Sequence, residues 1–133
     1  EELPGSLLVR GGGETVITAV EHDSRRAGPG SMFVAIPGFN IDGHSFLPQV
    51  AGTGAAAVLV QFDRRAAWDH LPEGPAIVVV PDTRAALARV AAWFYGHPGR
   101  ELAVVGITGT DGKSTEAKLT MTKEPAKVAF DQK

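Results

Sequence analysis

The sequence AIVVVPDTRAALARVAAWFY, residues 76–95, decides the fold class of this protein. Its first five residues, Ala76–Val80, are all apolar, which is typical of a strand that is covered on both faces of a sheet. Asp82 follows and is a favourable N-cap, so we predict a helix over residues 82–95. The apolar side chains of its predicted buried face recur at helical spacing and are Leu87, Val90, Ala91 and Phe94. A buried strand that leads directly into an amphipathic helix indicates a parallel α/β unit.

The same alternation of apolar runs and short helices continues toward the N-terminus. The runs that predict strands are residues 6–9, 15–20, 32–36 and 55–60. A short helix is predicted over residues 45–51, with Ser45 as its N-cap, and another over residues 64–71. The first two strands are separated by Arg10 and three glycines, which predicts a turn between them. We therefore expect an α/β fold with a small, mostly parallel sheet and flanking helices.

Residues 96–100, GHPGR, end the long helix and mark the best domain boundary in the chain. We predict a first domain over residues 1–99 and the start of a second over residues 100–133. The second part opens with an apolar run at residues 102–107, which predicts a strand, and a glycine-rich loop follows it directly. Loops of this kind, between a strand and a helix, are a common place for phosphate binding.

The composition excludes several classes of protein. The chain has 133 residues, of which 44% are hydrophobic and 21% charged, as in a globular protein with its own core. A net charge of −2 argues against a nucleic-acid partner, and no apolar run reaches the roughly 20 residues of a membrane helix. The absence of cysteine is consistent with a reducing compartment, so we expect a cytoplasmic protein. The four histidines lack metal-ligand spacing, and no pattern indicates the oligomeric state.

The glycine-rich loop GITGTDGKST, residues 106–115, has the features of a phosphate cradle. Gly109 and Gly112 would let backbone N–H groups approach phosphate oxygens, and Lys113 would reach the terminal phosphates of a nucleotide. The hydroxyl of Ser114 would ligate Mg²⁺. The glycine spacing differs from the most common phosphate-loop pattern, so an ordinary strand-to-helix turn with a surface lysine stays open as the alternative.

At this loop the sequence resembles the ATP loop of the Mur ligase family. Two upstream stretches extend the resemblance, DSRRAGPGSMFVAIPG with the following DGHSF at residues 23–46, and PDTRAALARVAAWFYGHPGREL at residues 81–102. The three motifs lie in the family's order and cover the chain from about residue 15 to about residue 115. The second stretch, which leads into the loop, is most similar to the MurE branch, the UDP-N-acetylmuramoyl-tripeptide synthetases. The MurF branch is the nearest alternative.

The resemblance implies an ATP-dependent amide ligase of peptidoglycan precursor synthesis. Such enzymes add the third amino acid, diaminopimelate or lysine, to UDP-MurNAc-L-Ala-D-Glu through an acyl phosphate, using ATP and Mg²⁺. By the same resemblance, the first domain binds the UDP end of the substrate and the second part begins a truncated ATPase domain. We expect the chain to be a UDP-binding fragment that is inactive alone. Alternatives from other classes are a non-catalytic UDP-sugar-binding module and a stand-alone phosphate-loop nucleotidase.

The resemblance also implies the residues of the two sites. Those that would contact the UDP end are His22, Ser24, Phe39, Asn40 and Ile41. Those that would contact ATP are Gly109, Thr110, Asp111, Gly112, Lys113, Ser114 and Thr115. In this second set, Lys113 would be the catalytic residue and Ser114 the metal ligand. The first set suits a nucleotide, because Asn40 offers both a donor and an acceptor to a base edge and Phe39 could stack on uracil.

Several polar residues near these positions have more than one possible role. Asp23 could cap a turn or contribute to the site, with neither favoured. Arg25 could pair with a diphosphate, with Asp23 or with Asp42. Asp42 and Gly43 are expected to shape a turn rather than to bind a ligand.

Two features depart from the family pattern. Asp111 stands where the family usually has asparagine, and a carboxylate repels phosphate, so we expect weakened ATP binding unless Asp111 faces Mg²⁺ or solvent. From about residue 116 the sequence no longer matches the family. Apolar residues in this tail alternate instead of following helical spacing, at Ala117, Leu119 and Met121. Pro125 would break a helix there.

Overall fold

The computed structural model of the protein describes residues 3, 5–11, 14–96, 102–105 and 118–121. Its strands are β1 (Leu7–Arg10), β2 (Glu14–Ile17), β3 (Ala19–Glu21), β4 (Ser31–Val34), β5 (Ala57–Gln61), β6 (Ala76–Val80), β7 (Leu102–Val105) and β8 (Lys118–Met121). Its α-helices are α1 (Leu47–Ala51), α2 (Arg65–Trp68) and α3 (Thr83–Gly96). Short 3₁₀ turns cover Ser24–Arg26, Gly43–Phe46 and Phe62–Arg64. In this part of the chain no helix is both long and apolar enough to cross a membrane.

The main sheet has five strands in the order β1-β6-β5-β4-β3. The four strands from β3 to β6 are mutually parallel, and β1 joins the β6 edge antiparallel. Helices α1, α2 and α3 follow strands of this sheet in the chain. The structure therefore confirms the predicted α/β fold with a small, mostly parallel sheet and flanking helices.

The central strands β4, β5 and β6 are buried on both faces of the main sheet, since successive side chains of a strand point to opposite sides and nearly all of those in these strands are buried. Val78 and Val80 of β6 belong to the core on the side of α3, together with Val90 of that helix. Ile77 and Val79 of the same strand belong to the core on the side of α1 and α2. This double coverage explains why Ala76–Val80 is apolar without interruption.

Helix α3 is confirmed, but its buried face differs from the predicted one. Asp82 Oδ1 accepts the backbone N–H groups of Arg84 and Ala85 at 2.9 and 3.3 Å, as a cap does. The residues of α3 that are buried are Thr83, Ala86, Val90 and Trp93. Leu87 and Phe94 only flank this stripe, packed partly buried against the core. The sequence could not place the stripe because apolar side chains cover more than half of the circumference of this helix.

The apolar run at residues 15–20 is not one strand, as predicted, but two. It divides at Thr18, so that β2 lies in a three-stranded sheet of order β2-β7-β8 and β3 lies in the main sheet. The backbone N–H and the Oγ1 of Thr18 both donate to Gly30 O, at 2.8 and 3.2 Å, which turns the chain at this point. No glycine or proline interrupts the run, so the local pattern gives no sign of the division.

Ser45 does not cap α1, contrary to the prediction. The backbone first makes the 3₁₀ turn Gly43–Phe46, whose N-cap is Asp42, and α1 begins only at Leu47. Ser45 Oγ instead donates to Asp42 O at 2.7 Å. Pro48 lies in the first turn of α1, where its missing N–H costs no helical hydrogen bond.

The strand predicted to open the second domain is present as β7. It pairs antiparallel with β2, so it contacts a strand that the predicted boundary assigns to the first domain. Two of the alternating residues of the tail, Leu119 and Met121, lie in a strand, β8, which pairs antiparallel with β7. The division into domains at residues 99 and 100 stays a prediction, and the phosphate loop at residues 106–115 lies outside the described residues.

The burial of α3 gives a direct test of this packing. Trp93 is 8% exposed within the core, so Trp93→Ala should lower the free energy of unfolding by about 3 to 5 kcal/mol. Tyr95, on the same helix, is 63% exposed, and Tyr95→Ala should cost about 1 kcal/mol or less. Urea unfolding of both variants measures the difference. Equal losses would show that α3 packs through a different face.

Candidate functional site

The carboxyl ends of β3, β4, β5 and β6 lie at one edge of the main sheet, because these strands are parallel neighbours. Open α/β sheets bind their ligands at this edge. His22 and Ser24 follow β3, and the segment from Phe39 to Ile41 follows β4. The fold therefore brings all five residues of the predicted UDP site to the same edge, on the loops that follow two adjacent strands. Their role in binding stays a prediction.

The loop after β3 is organised by Asp23. Its carboxylate accepts the backbone N–H of Arg25 at 3.0 Å and caps the 3₁₀ turn Ser24–Arg26. It also pairs with the Arg25 guanidinium, at 3.0 Å to Nε and 2.8 Å to Nη2. These hydrogen bonds from Arg25 lower the pKa of Asp23 to about 2. Among the roles that the sequence left open for these two residues, the structure shows Asp23 as a turn cap and Arg25 as the ion-pair partner of Asp23.

The loop after β4 is short and closed at its base. Pro37 and Asp42 form an isolated antiparallel bridge, and Gly38 N–H donates to Ile41 O at 3.0 Å. A Cβ at position 38 would lie 2.6 Å from Ile41 O, so only glycine fits there without a shift. We call residues 37–42 the tip loop, because the ring of Phe39 and most of Ile41 extend into solvent, 107% and 59% exposed.

Asp42 fixes the second end of the tip loop. Its Oδ1 accepts the Nδ1–H of His44 at 2.7 Å and the backbone N–H of His44 at 2.9 Å. Its Oδ2 accepts Arg64 Nε at 2.6 Å. Burial raises the pKa of Asp42, but the hydrogen bonds from Arg64 and His44 outweigh it and lower that pKa to about 2. The expectation that Asp42 shapes a turn is therefore confirmed.

His44 is 2% exposed and links the tip loop to the next strand. Its Nε2 accepts the backbone N–H of Gln61 at 2.9 Å, so the proton of the neutral ring is on Nδ1, which donates to Asp42. Burial lowers the pKa of His44, and the charge of Arg64 acts in the same direction, against the opposing carboxylates of Asp42 and Asp63. The histidine is accordingly a neutral structural bridge.

Gln61 and Arg84 are site residues that the sequence did not single out. Gln61 ends β5, and its Oε1 accepts the backbone N–H and the Oγ1 of Thr83 at 3.1 and 3.2 Å, at the first turn of α3. Arg84 Nη2 donates to Pro37 O, at the base of the tip loop. The sequence held one weak signal for Gln61, a polar residue that ends the otherwise apolar run AVLVQ.

Two clefts lie at the same edge of the sheet, on either side of Pro81. One is lined by Leu3, Asp82, Ala85, Ala86 and Arg89, among others. The other is lined by Gly5, Leu7, Phe62, Asp63 and Val79, among others. The predicted UDP residues line neither of these clefts; they lie on the loops after β3 and β4, whereas both clefts lie at the end of β6. The predicted ATP residues, 109–115, lie outside the described residues.

The lowered pKa of His44 predicts how stability depends on pH. Between the folded pKa and the ordinary value of 6.5, the unfolded chain binds the proton more tightly, so the free energy of unfolding should rise with pH and level off above about 6.5. The contribution of Asp42 is lost only at much lower pH, between about 4 and about 2.

Urea unfolding at a series of pH values checks this. His44→Gln should remove the rise between the lowered pKa and pH 6.5 as well as lowering stability. His70→Gln, which changes an exposed histidine, should keep the rise. A slope that persists in His44→Gln would mean that His44 is not its source.

Comparisons with known proteins show which family the chain is similar to. The family model described as Mur ligase family, catalytic domain, matches residues 16–95, more than half of the chain. The UDP-N-acetylmuramyl-tripeptide synthetase of Roseiflexus sp. is 51% identical over 104 residues, which are 78% of this chain and 20% of that protein. The UDP-N-acetylmuramoyl-L-alanyl-D-glutamate--2,6-diaminopimelate ligase of Streptomyces coelicolor is 47% identical over 107 residues, 80% of this chain and 21% of that protein.

The crystal structure of MurF from Acinetobacter baumannii matches 62% of this chain and 17% of its own, at 31% identity and a TM-score of 0.49. The chain spans about a fifth of the length of the curated relatives that it matches. The family match over residues 16–95 includes β3 to β6 and both predicted UDP-binding loops. The chain belongs to the Mur ligase family.

Proposed function

We propose that this chain binds the UDP end of the acceptor of an ATP-dependent amide ligase. The reaction is the addition of the third amino acid, diaminopimelate or lysine, to UDP-MurNAc-L-Ala-D-Glu in peptidoglycan precursor synthesis. The observation that carries the proposal is the tip loop, which presents Phe39, Asn40 and Ile41 beside the Ser24 turn at the carboxyl edge of the sheet. The tripeptide synthetase and the diaminopimelate ligase that are 51% and 47% identical to this chain support the same reaction.

The side chains of this edge suit a uridine nucleotide in distinct ways. The Asn40 amide carries a donor and an acceptor, which match the alternating carbonyl and N–H groups of uracil. The exposed Phe39 ring offers a flat apolar face for the base. Ser24, at the start of the neighbouring turn, and His22 before it contribute further donors for the ribose or the diphosphate.

The tip loop is suited to binding because its base is held before a ligand arrives. Its two ends bridge through Pro37 and Asp42, and the Gly43 N–H donates to Ile36 O at 2.9 Å just outside them. A ligand that meets a fixed loop does not lose affinity to the entropy of ordering it. Apolar side chains that are exposed together can mark a ligand-binding surface, and the nearby exposure of Phe39 and Ile41 on one short loop supports such a role for them.

The ATP part of the proposal rests on the sequence of residues 109–115. Lys113 would neutralise the charge of the transferring phosphoryl group, and the Ser114 hydroxyl is an oxygen donor of the kind that Mg²⁺ prefers. The acceptor carboxylate would attack the terminal phosphorus of ATP and release ADP, and the amine would then attack the acyl carbon and release phosphate. Because the chain spans about a fifth of its relatives, we expect it to bind the acceptor without completing this ligation.

Calorimetric titration of UDP-MurNAc-L-Ala-D-Glu into the 133-residue chain tests the UDP site. Asn40→Ala should weaken binding roughly tenfold, the loss of about one hydrogen bond to the base. Gln49→Ala removes the same amide from an exposed position of α1 and should leave the affinity unchanged. Equal affinities of the parent and the Asn40→Ala variant would refute the assigned role of the tip loop.

A second pair of variants separates the two nucleotide sites. Lys113→Ala should abolish ATP binding while the affinity for UDP-MurNAc-L-Ala-D-Glu stays unchanged. Asp111→Asn should strengthen ATP binding a few-fold, because it removes a negative charge from the anion-binding loop. The same titrations measure both effects. If Lys113→Ala weakened acceptor binding as much as ATP binding, the UDP end would not be held by the first domain.

A further inference from the structure

The carboxyl ends of β4, β5 and β6 are joined by a closed ring of contacts. Its members are Pro37, Asp42, His44, Gln61, Thr83 and Arg84. We call this set the edge ring. It begins and ends on the tip loop, passes through the last residue of β5 and returns through the first turn of α3.

Each link of the edge ring is a hydrogen bond or the chain itself. Asp42 Oδ1 accepts His44 Nδ1–H at 2.7 Å, and His44 Nε2 accepts the backbone N–H of Gln61 at 2.9 Å. Gln61 Oε1 accepts the backbone N–H of Thr83 at 3.1 Å. Arg84 follows in the chain and donates to Pro37 O, and Pro37 bridges to Asp42.

The two ends of the tip loop are thus held by different elements. Asp42, at one end, is held by His44, in the 3₁₀ turn Gly43–Phe46, and by Arg64, in the 3₁₀ turn that follows β5. Pro37, at the other end, receives a side-chain hydrogen bond from Arg84, on α3. Since Pro37 and Asp42 are themselves paired, a loss at either end loosens the base on which Phe39, Asn40 and Ile41 stand.

We propose that Arg84 is a positioning residue, which fixes the tip loop for its nucleotide ligand by closing the edge ring from α3. The inference rests on the proposed function and adds to it a residue that touches the loop backbone rather than the predicted UDP contacts. Arg84 is exposed, so its removal should loosen the loop without unfolding the protein. For buried members of the ring, such as His44, a substitution would also destabilise the fold, so its effect on the loop could not be measured separately.

Hydrogen exchange of the free protein tests the positioning role without any ligand. The amides of Gly38 and Gly43 report on the loop, because they donate to Ile41 O and Ile36 O. In Arg84→Ala, both should exchange several-fold faster than in the parent chain. Arg89→Ala removes the same charge from an exposed position of the same helix and should leave both rates unchanged.

Binding of UDP, measured by calorimetry, tests the consequence for the site. Arg84→Ala should bind about three to ten times more weakly, while Arg89→Ala binds as the parent does. Arg84→Lys keeps a donor and the charge, so it should restore part of the affinity and part of the slow exchange. Urea unfolding of all three variants confirms that the fold is kept.

The outcomes separate the inference from the function on which it rests. Faster loop exchange together with weaker UDP binding in Arg84→Ala supports the positioning role. Unchanged exchange overturns it, even where binding is weaker, because Arg84 would then contact the ligand directly. If the parent chain bound no UDP, the proposed function would fail, and the exchange rates would still decide whether Arg84 holds the loop.

Discussion

The constraint on which this structure depends is the burial of three parallel strands, β4, β5 and β6, on both faces. Apolar side chains must cover β4 to β6 on each side, as the two clusters around Val78 and Val79 do. Polar side chains are therefore excluded from the middle of the sheet, and those that organise loops collect where the strands end. The carboxyl edge receives Asp23 after β3, the tip loop after β4 and Gln61 at the end of β5. The candidate site therefore lies at the carboxyl edge because burial of the strands excludes polar side chains from the middle of the sheet.

Local sequence patterns predicted best a strand that is buried on both faces and the helix that packs against it. Ala76–Val80 and α3 were predictable because an uninterrupted apolar strand and a capped amphipathic helix each leave a clear signature within one stretch of chain. The division at Thr18 was not predictable, because it depends on Gly30 O, twelve residues away. The exact stripe of α3 was missed for a related reason, since only the sheet beneath the helix selects Trp93 over Phe94.

The candidate site shows the same limit more sharply. Asp23 and Asp42 cap turns through residues two positions away, and their residue types already indicated such a role. The links that tie the loops to one another span much greater separations, 17 residues from His44 to Gln61 and 47 from Pro37 to Arg84. No periodicity or motif in the sequence indicates such contacts. The positions of the loops along the chain were therefore predictable, whereas the hydrogen bonds that tie the loops to one another were not.

His44 explains how a polar link can be buried at this edge at all. Asp42 is neutralised in part by Arg64, and the neutral imidazole satisfies both the Asp42 carboxylate and the Gln61 N–H without adding a charge. Protonation would turn Nε2 from an acceptor into a donor and leave the Gln61 N–H without its partner. The burial that lowers the pKa of His44 therefore also keeps the tip loop joined to β5, because the two effects require the same uncharged ring. The uncharged state of His44 therefore contributes both to the stability of the fold and to the order of the tip loop.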